Sequence, residues 1–182
     1  MTRDEAYALV AGRLGETATL AHCLACEACL RVLARRLGGD EERWGLTGLV
    51  HDLDLDETAS DPERHAVVGA AVLRAAGVEE EIVEAVLGHN GKVERTTPLA
   101  RALWVVDPTT GFITAAALIR PSKSTSDLTV SSIAKRMKDK RFAAAVSRDQ
   151  IRACEAELDI PLPDFLALCL SAMDTIRDRL GL

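Results

Sequence analysis

Leu46-Thr-Gly-Leu-Val-His51-Asp52 is an apolar run that ends in a histidine and an aspartate, and the acidic stretch Leu53-Asp-Leu-Asp-Leu-Asp56 follows at once. A His-Asp pair at a helix end means little alone, because two polar side chains often meet there by chance. The chain, however, has only four histidines. The other three, His22, His65 and His89, fall where helical periodicity turns them toward this pair.

Working outward, Asp40 is suited to cap a helix from Glu41 to about Val50, whose last turn delivers His51 and Asp52. Upstream, Thr2-Arg-Asp-Glu5 reads as a capping box before a short helix that stops at Gly15. A longer helix then runs from about Thr17 or Thr19 to Gly38-Gly39. On it His22, Cys26, Cys29 and Leu33 share one face. Downstream, Pro62 suits the first turn of a helix ending at Gly77, with His65, Gly69, Val72 and Leu73 on one face. The next helix, about Glu79 to Gly88, aligns Ile82, Val86 and His89. Pro98 opens another in which Ala100, Leu103 and Asp107 coincide, and Pro108 is expected to break or kink it before a separate helix over Thr110 to Ile119. After the polar loop Arg120-Pro-Ser-Lys-Ser-Thr-Ser-Asp127 come a basic amphipathic segment at Ser131 to Lys138, a helix near Arg148 to Glu157 and a last one from about Pro163 to Leu180.

The expected fold is therefore all-α, a compact bundle of about eight to ten helices in one domain over residues 1–182, with a core of about 17–120 and a basic C-terminal segment of about 121–182 packed on it. Hydrophobic residues make up 48%, but only six residues are aromatic, so the core must be Ala, Leu and Val, which favours close-packed helices. A formal charge of −6 argues against general nucleic-acid binding, which rests on phosphate neutralisation. No apolar run approaches the roughly 18 residues of a membrane span. Cys23, Cys26, Cys29, Cys154 and Cys169 form an odd set without a secretory signal, read as reduced thiols in a cytoplasmic protein. Cys23-x-x-Cys26-x-x-Cys29 invites a metal reading. On a helix, at about 100° per residue, the three thiols fan out, and small buried cysteines are the better account.

Each histidine alone is more plausibly a satisfied core or helix-end residue than a ligand. Together, four imidazoles with Asp52 and Asp107 on inward faces would carry a heavy desolvation cost without a cation. A metal centre resolves it.

The order His22, His51-Asp52, Asp107 across consecutive helices resembles the H…HD…D signature of the HD-domain superfamily of metal-dependent phosphohydrolases. Gly48-Leu-Val-His-Asp-Leu-Asp54, Pro62-Glu-Arg-His65, Gly88-His-Asn90 and Asp107-Pro-Thr-Thr-Gly-Phe-Ile113 are similar to characteristic segments of its HDIG-type subgroup. The resemblance implies a first metal held by His22, His51, Asp52 and Asp107. It implies a second held by His65 and His89 with Asp52 as bridge, or a single metal with His65 or His89 contacting substrate phosphate. Imidazole and carboxylate ligands suit divalent Fe, Mn, Co, Ni or Zn. Two such ions about 3.5–4 Å apart activate a water to hydroxide and stabilise the leaving oxygen of a phosphoester. Of the carboxylates, Asp52 and Asp54 are the catalytic candidates, Asp54 or its neighbour Asp56 orienting the water or acting as general base, with a solvated acidic loop after the helix as the alternative for these two. Glu27 is a surface residue or one that orients a ligand imidazole.

From Arg120 to Arg152 there are nine Lys or Arg against three Asp, a net +6 that leaves −12 on the rest of the chain. Folded over the metals, this segment would offer Arg120, Lys123 and Lys140 to substrate phosphate; the alternative is a solvated basic face. The expected activity is hydrolysis of a small phosphorylated molecule, a nucleotide or other phosphoester, by a free-standing enzyme, since the length leaves no room for a sensor domain. The Gly-Tyr-Pro segment of the related cyclic-dinucleotide phosphodiesterases is missing. The same ligand order occurs in HD-fold di-iron oxygenases resembling myo-inositol oxygenase, and a non-catalytic regulatory protein is the third alternative.

Overall fold

A computed structural model describes residues 1–15 and 17–182. Its α-helices are α1 (Arg3–Arg13), α2 (Thr17–Leu37), α3 (Glu41–Val50), α4 (Leu55–Thr58), α5 (Val67–Ala75), α6 (Glu80–His89), α7 (Pro98–Leu118), α8 (Val130–Arg136), α9 (Arg148–Arg152), α10 (Cys154–Leu158), α11 (Leu162–Thr175) and α12 (Arg177–Leu180). A 3-10 turn, Thr125–Asp127, precedes α8, and there is no strand among the described residues. The α4 and α12 segments are single turns, which leaves ten longer helices among the described residues, as the all-α reading expects.

The starts follow the local chemistry. Thr2 and Glu5 form the reciprocal capping box of α1. Asp40 caps α3 by accepting the Arg43 N–H at 2.9 Å, and Thr97 caps α7 by accepting that of Ala100 at 3.2 Å. Two apolar groups then form. Leu30, Leu33, Leu103, Phe112, Ile113 and Phe165 knit α2, α7 and α11 together. Leu49, Leu53, Leu73 and Ile82 join α3, α5 and α6. Each such aliphatic side chain stabilises the fold by about 1.5–3 kcal/mol when fully buried. The groups meet along α2, where Cys23 belongs to one and Cys26 to the other. His22 sits at that seam. All five cysteines are buried and unpaired, as small core residues. No helix among the described residues is long and apolar enough to cross a membrane.

Three elements depart from the sequence expectation. The chain does not break at Pro108, for α7 runs through it to Leu118. Proline removes the N–H that would have satisfied the Trp104 carbonyl. Gln150, from α9, donates its side-chain amide to that carbonyl instead, and the Thr109 hydroxyl donates to the Val105 carbonyl at 2.6 Å. Second, Pro62 does not open a helix: residues 61–66 form successive turns, Ala66 takes a left-handed φ of 67°, and α5 starts only at Val67. Third, the last helix is interrupted at Ile176, between α11 and α12.

Candidate metal centre

The α2 and α3 backbones touch at Gly48. A Cβ there would lie 2.6 Å from the Cys26 carbonyl carbon and from the Glu27 nitrogen. Only glycine permits this approach. One turn away on each helix, it brings the His22 and His51 rings to 5.1 Å between centroids. His51 stands 5.2 Å from His89, and His89 the same distance from His65.

Asp52 lies at the centre. Its Oδ2 is 3.6 Å from His22 Nε2 and 3.4 Å from His51 Nε2. Its Oδ1 is 3.3 Å from His65 Nε2 and 3.4 Å from His89 Nε2. Asp107 Oδ1 approaches His22 Nε2 at 3.2 Å. All six residues singled out from the sequence as metal ligands thus converge, two imidazoles on each oxygen of Asp52.

The other ring nitrogens fix the tautomers. His51 Nδ1 faces the Gly48 carbonyl at 2.8 Å, His89 Nδ1 the Val86 carbonyl, and His65 Nδ1 the Asp54 carboxylate at 2.9 Å. These partners only accept, so each Nδ1 carries the proton. At His22 the partner is Thr110, whose hydroxyl donates to the Asp107 carbonyl at 2.9 Å and so offers a lone pair to His22 Nδ1–H at 3.1 Å. The neutral rings therefore present bare Nε2 lone pairs inward.

Two observations show that this arrangement fits a cation. His51 Nε2 is fully buried with no hydrogen-bond partner, a costly orphan unless something electrophilic receives it. His65 and His89 point their Nε2 atoms at each other across 3.3 Å, where two lone pairs repel. Asp52, His65 and His89 offer ligand atoms within 4.8 Å of one another, and so do His22, Cys26 and His51. Without a metal, protons must serve. Burial opposes charge on His65, but the Asp52 and Asp54 carboxylates outweigh it and raise its pKa to about 9. Against the same burial, Cys26 and Asp107 raise His22, and Asp52 raises His89. Asp52 and Asp107 are held below the usual carboxylate range despite burial, chiefly by His51 and by His22 respectively. Burial pushes the Cys26 thiol up, against the lowering influence of His22.

The remaining candidates separate. Asp54 is fully buried behind His65: Oδ1 takes its Nδ1 and Oδ2 accepts the Gly69 N–H at 2.7 Å. It ties His65 to the start of α5 rather than facing a water. Asp56 accepts the Gly15 N–H at 2.7 Å. Glu27 accepts from Arg3 at 2.7 Å and Arg31 at 3.2 Å and orients no imidazole. Because α7 continues through Pro108, Arg120 follows thirteen residues after Asp107, roughly 20 Å along a helix. Lys123 lies beyond it, and Lys140 lines a separate recess of about 430 Å³ with Lys138, Arg148 and Arg152. Sequence reasoning does not single out Thr110, whose signal is its place three residues after Asp107. Asn90, quoted above only as part of a motif, donates to the His65 carbonyl at 3.2 Å.

Residues 19–175 match the HD domain family. Shorter stretches are similar to proteins named Ribonuclease Y. With that of Oleidesulfovibrio alaskensis the identity is 30% over 94 residues, 50% of this chain and 18% of the relative. With that of Thermosipho melanesiensis it is 35% over 69 residues, 38% of this chain and 14% of the relative. The chain thus matches less than a fifth of the length of either relative. With most of its length matched and the His and Asp residues of the signature gathered around Asp52, the chain belongs to the HD domain family.

Proposed function

We propose that the chain, acting as one helical unit, is a metal-dependent phosphohydrolase. The observation that carries this reading is the division of Asp52, one oxygen toward His22 and His51 and the other toward His65 and His89. A carboxylate so placed bridges two positions, with Asp107 completing the first. Divalent transition metal held by these residues would supply Lewis acidity toward a phosphoryl oxygen and lower the pKa of a water.

The residues of the chain do the positioning. Gly48, Val86, Asp54 and Thr110 each hold an Nδ1 and so aim an Nε2 inward. Asp54 acts through His65, as a positioning residue. The side chains of Asp107, His22 and His65 are 29%, 22% and 15% exposed, whereas those of His51 and His89 are almost closed off. Substrate therefore approaches over the first three. The Cys26 thiol beside His22 is fully buried, and activated water is the attacking group in this reading.

The substrate is a phosphoester. A small phosphorylated molecule suits the overall acidity of the chain, and an RNA phosphodiester is the second candidate, because the relatives are named Ribonuclease Y. The test is elemental analysis of protein purified without chelators, followed by a phosphate-release screen over nucleotides, sugar phosphates and a short RNA, with and without oxygen. Release that needs metal and not oxygen is expected. Oxygen-dependent substrate consumption by iron-loaded protein would overturn the reading in favour of oxygenase chemistry. Asp52→Ala should lose metal and activity together, and stoichiometric metal retained in that variant rules out the bridge.

A further inference from the structure

Asp107, Gly111, Thr114 and Leu118 follow one another at i, i+4, i+7 and i+11 and form one stripe of α7. Facing it across a cavity of about 190 Å³ are Ala18 and Ala21 of α2 and Leu180 of α12, and His22 forms the wall nearest the metal ligands. Among the described residues the lining, which also includes Gly181 and Leu182, is mostly carbon, and its one side-chain hydroxyl is that of Thr114. Leu118, at its outer end, is 49% exposed.

Gly111 is the unusual member. A glycine inside a helix is destabilising relative to alanine, and such a residue normally answers a steric demand or a left-handed backbone. Neither applies: a Cβ built on Gly111 meets nothing within 4 Å, and its φ is not in the positive range. Gly48 shows the contrast, where backbone atoms at 2.6 Å forbid any side chain. Among the described residues no atom comes within 4 Å of that Cβ, one turn beyond Asp107 and beside His22.

We infer that this groove is a subsite for the ester group of the substrate, and that it accepts a compact, largely apolar or aromatic group whose phosphoryl end lies at Asp107 and His22. An apolar cavity of about 150 Å³ accommodates a benzene ring, so the volume beside Gly111 suits one ring and not an extended chain. The lining offers too few polar partners for a sugar, whose buried hydroxyls would go unpaired. The inference rests on the phosphohydrolase reading for the placement of the phosphoryl group, and its test separates the two.

Metal-loaded protein is titrated calorimetrically with methylphosphonate and with phenylphosphonate, neither of which it can hydrolyse as an ester, and is assayed in parallel with p-nitrophenyl phosphate. Wild type should bind phenylphosphonate at least tenfold more tightly than methylphosphonate. Gly111→Leu, which fills the groove, should bring the two within twofold while retaining its metal. Gly111→Ala should keep most of the preference and raise Tm by about 2 °C, which establishes that the helix tolerates a side chain there. Equal affinity for the two phosphonates in wild type overturns the subsite, as does a preference unchanged in Gly111→Leu, or no binding of either. A preference that holds while p-nitrophenyl phosphate is not turned over retains the subsite and counts against the hydrolase reading.

Discussion

Asp54 holds His65 from behind: its Oδ1 lies 2.9 Å from His65 Nδ1, while its Oδ2 accepts the Gly69 N–H at 2.7 Å. One fully buried carboxylate thereby fixes both a metal-facing imidazole and the first turn of α5. Asp54→Asn retains the shape but removes the charge. It should lower stability by about 1–3 kcal/mol, the range for disrupting a buried polar contact, and weaken the metal position at His65 and His89 more than that at His22 and His51. Metal content by elemental analysis should fall by about one equivalent. Unchanged content would exclude this positioning role.

The same pair sets a pH dependence. In metal-free protein the pKa of His65 rises to about 9, because Asp52 and Asp54 outweigh burial. With the folded pKa above an unfolded value of about 6.5, this proton stabilises the metal-free fold fully below about pH 6.5, and the contribution is lost as pH climbs through 9. Metal binding runs the opposite way, since a metal must displace the proton. Affinity should therefore increase from pH 6.5 to 9. Calorimetric titration in buffers of different ionisation enthalpy should register proton release at pH 7.5 that disappears near pH 10. Release that does not vary with pH would contradict the assignment.

Gly48 is the point where α2 and α3 meet. Gly48→Ala places a methyl 2.6 Å from the α2 backbone, so the helices must separate and carry His22 away from His51. A cost of about 1–3 kcal/mol is expected for such overpacking. Urea titration measures it, and metal affinity should drop in parallel. A variant with wild-type stability would show that α2 yields freely.

The Gln150 amide takes the place of the N–H that Pro108 lacks, by donating to the Trp104 carbonyl. Gln150→Ala leaves that carbonyl without its partner one turn before Asp107. A loss of about 1 kcal/mol is expected, together with reduced turnover, because α7 is free to bend where it presents Asp107. Pro108→Ala in the same protein restores the backbone donor and should recover both. Failure of the second substitution to rescue the first would disconnect Gln150 from the continuity of α7.

Much of the site is legible in the sequence, because the inward phase of a residue on an amphipathic helix depends only on its spacing. That spacing places His22, Asp107 and His89, and the helix that ends at His51-Asp52 places the central pair. Asp54 is legible as a residue and not as a role, since His65 lies in the turns before α5 and Gly69 meets Asp54 through its backbone N–H, neither of which side-chain periodicity describes. The basic residues illustrate the converse. The charge of the 120–152 segment is plain from composition, yet where Arg120 and Lys123 lie depends on whether α7 breaks at Pro108.

The sequence by itself therefore determined the helical class and the six residues that meet around Asp52, because the phase of most of them on their helices and the cost of burying imidazole and carboxylate are local properties. Only the tertiary structure decided which oxygen of Asp52 serves which histidine, that Asp54 stands behind His65, that Gln150 keeps α7 continuous, and that the space over Gly111 is open. Each of these depends on atoms distant in the chain approaching within a few ångströms. No single-helix pattern records such distances.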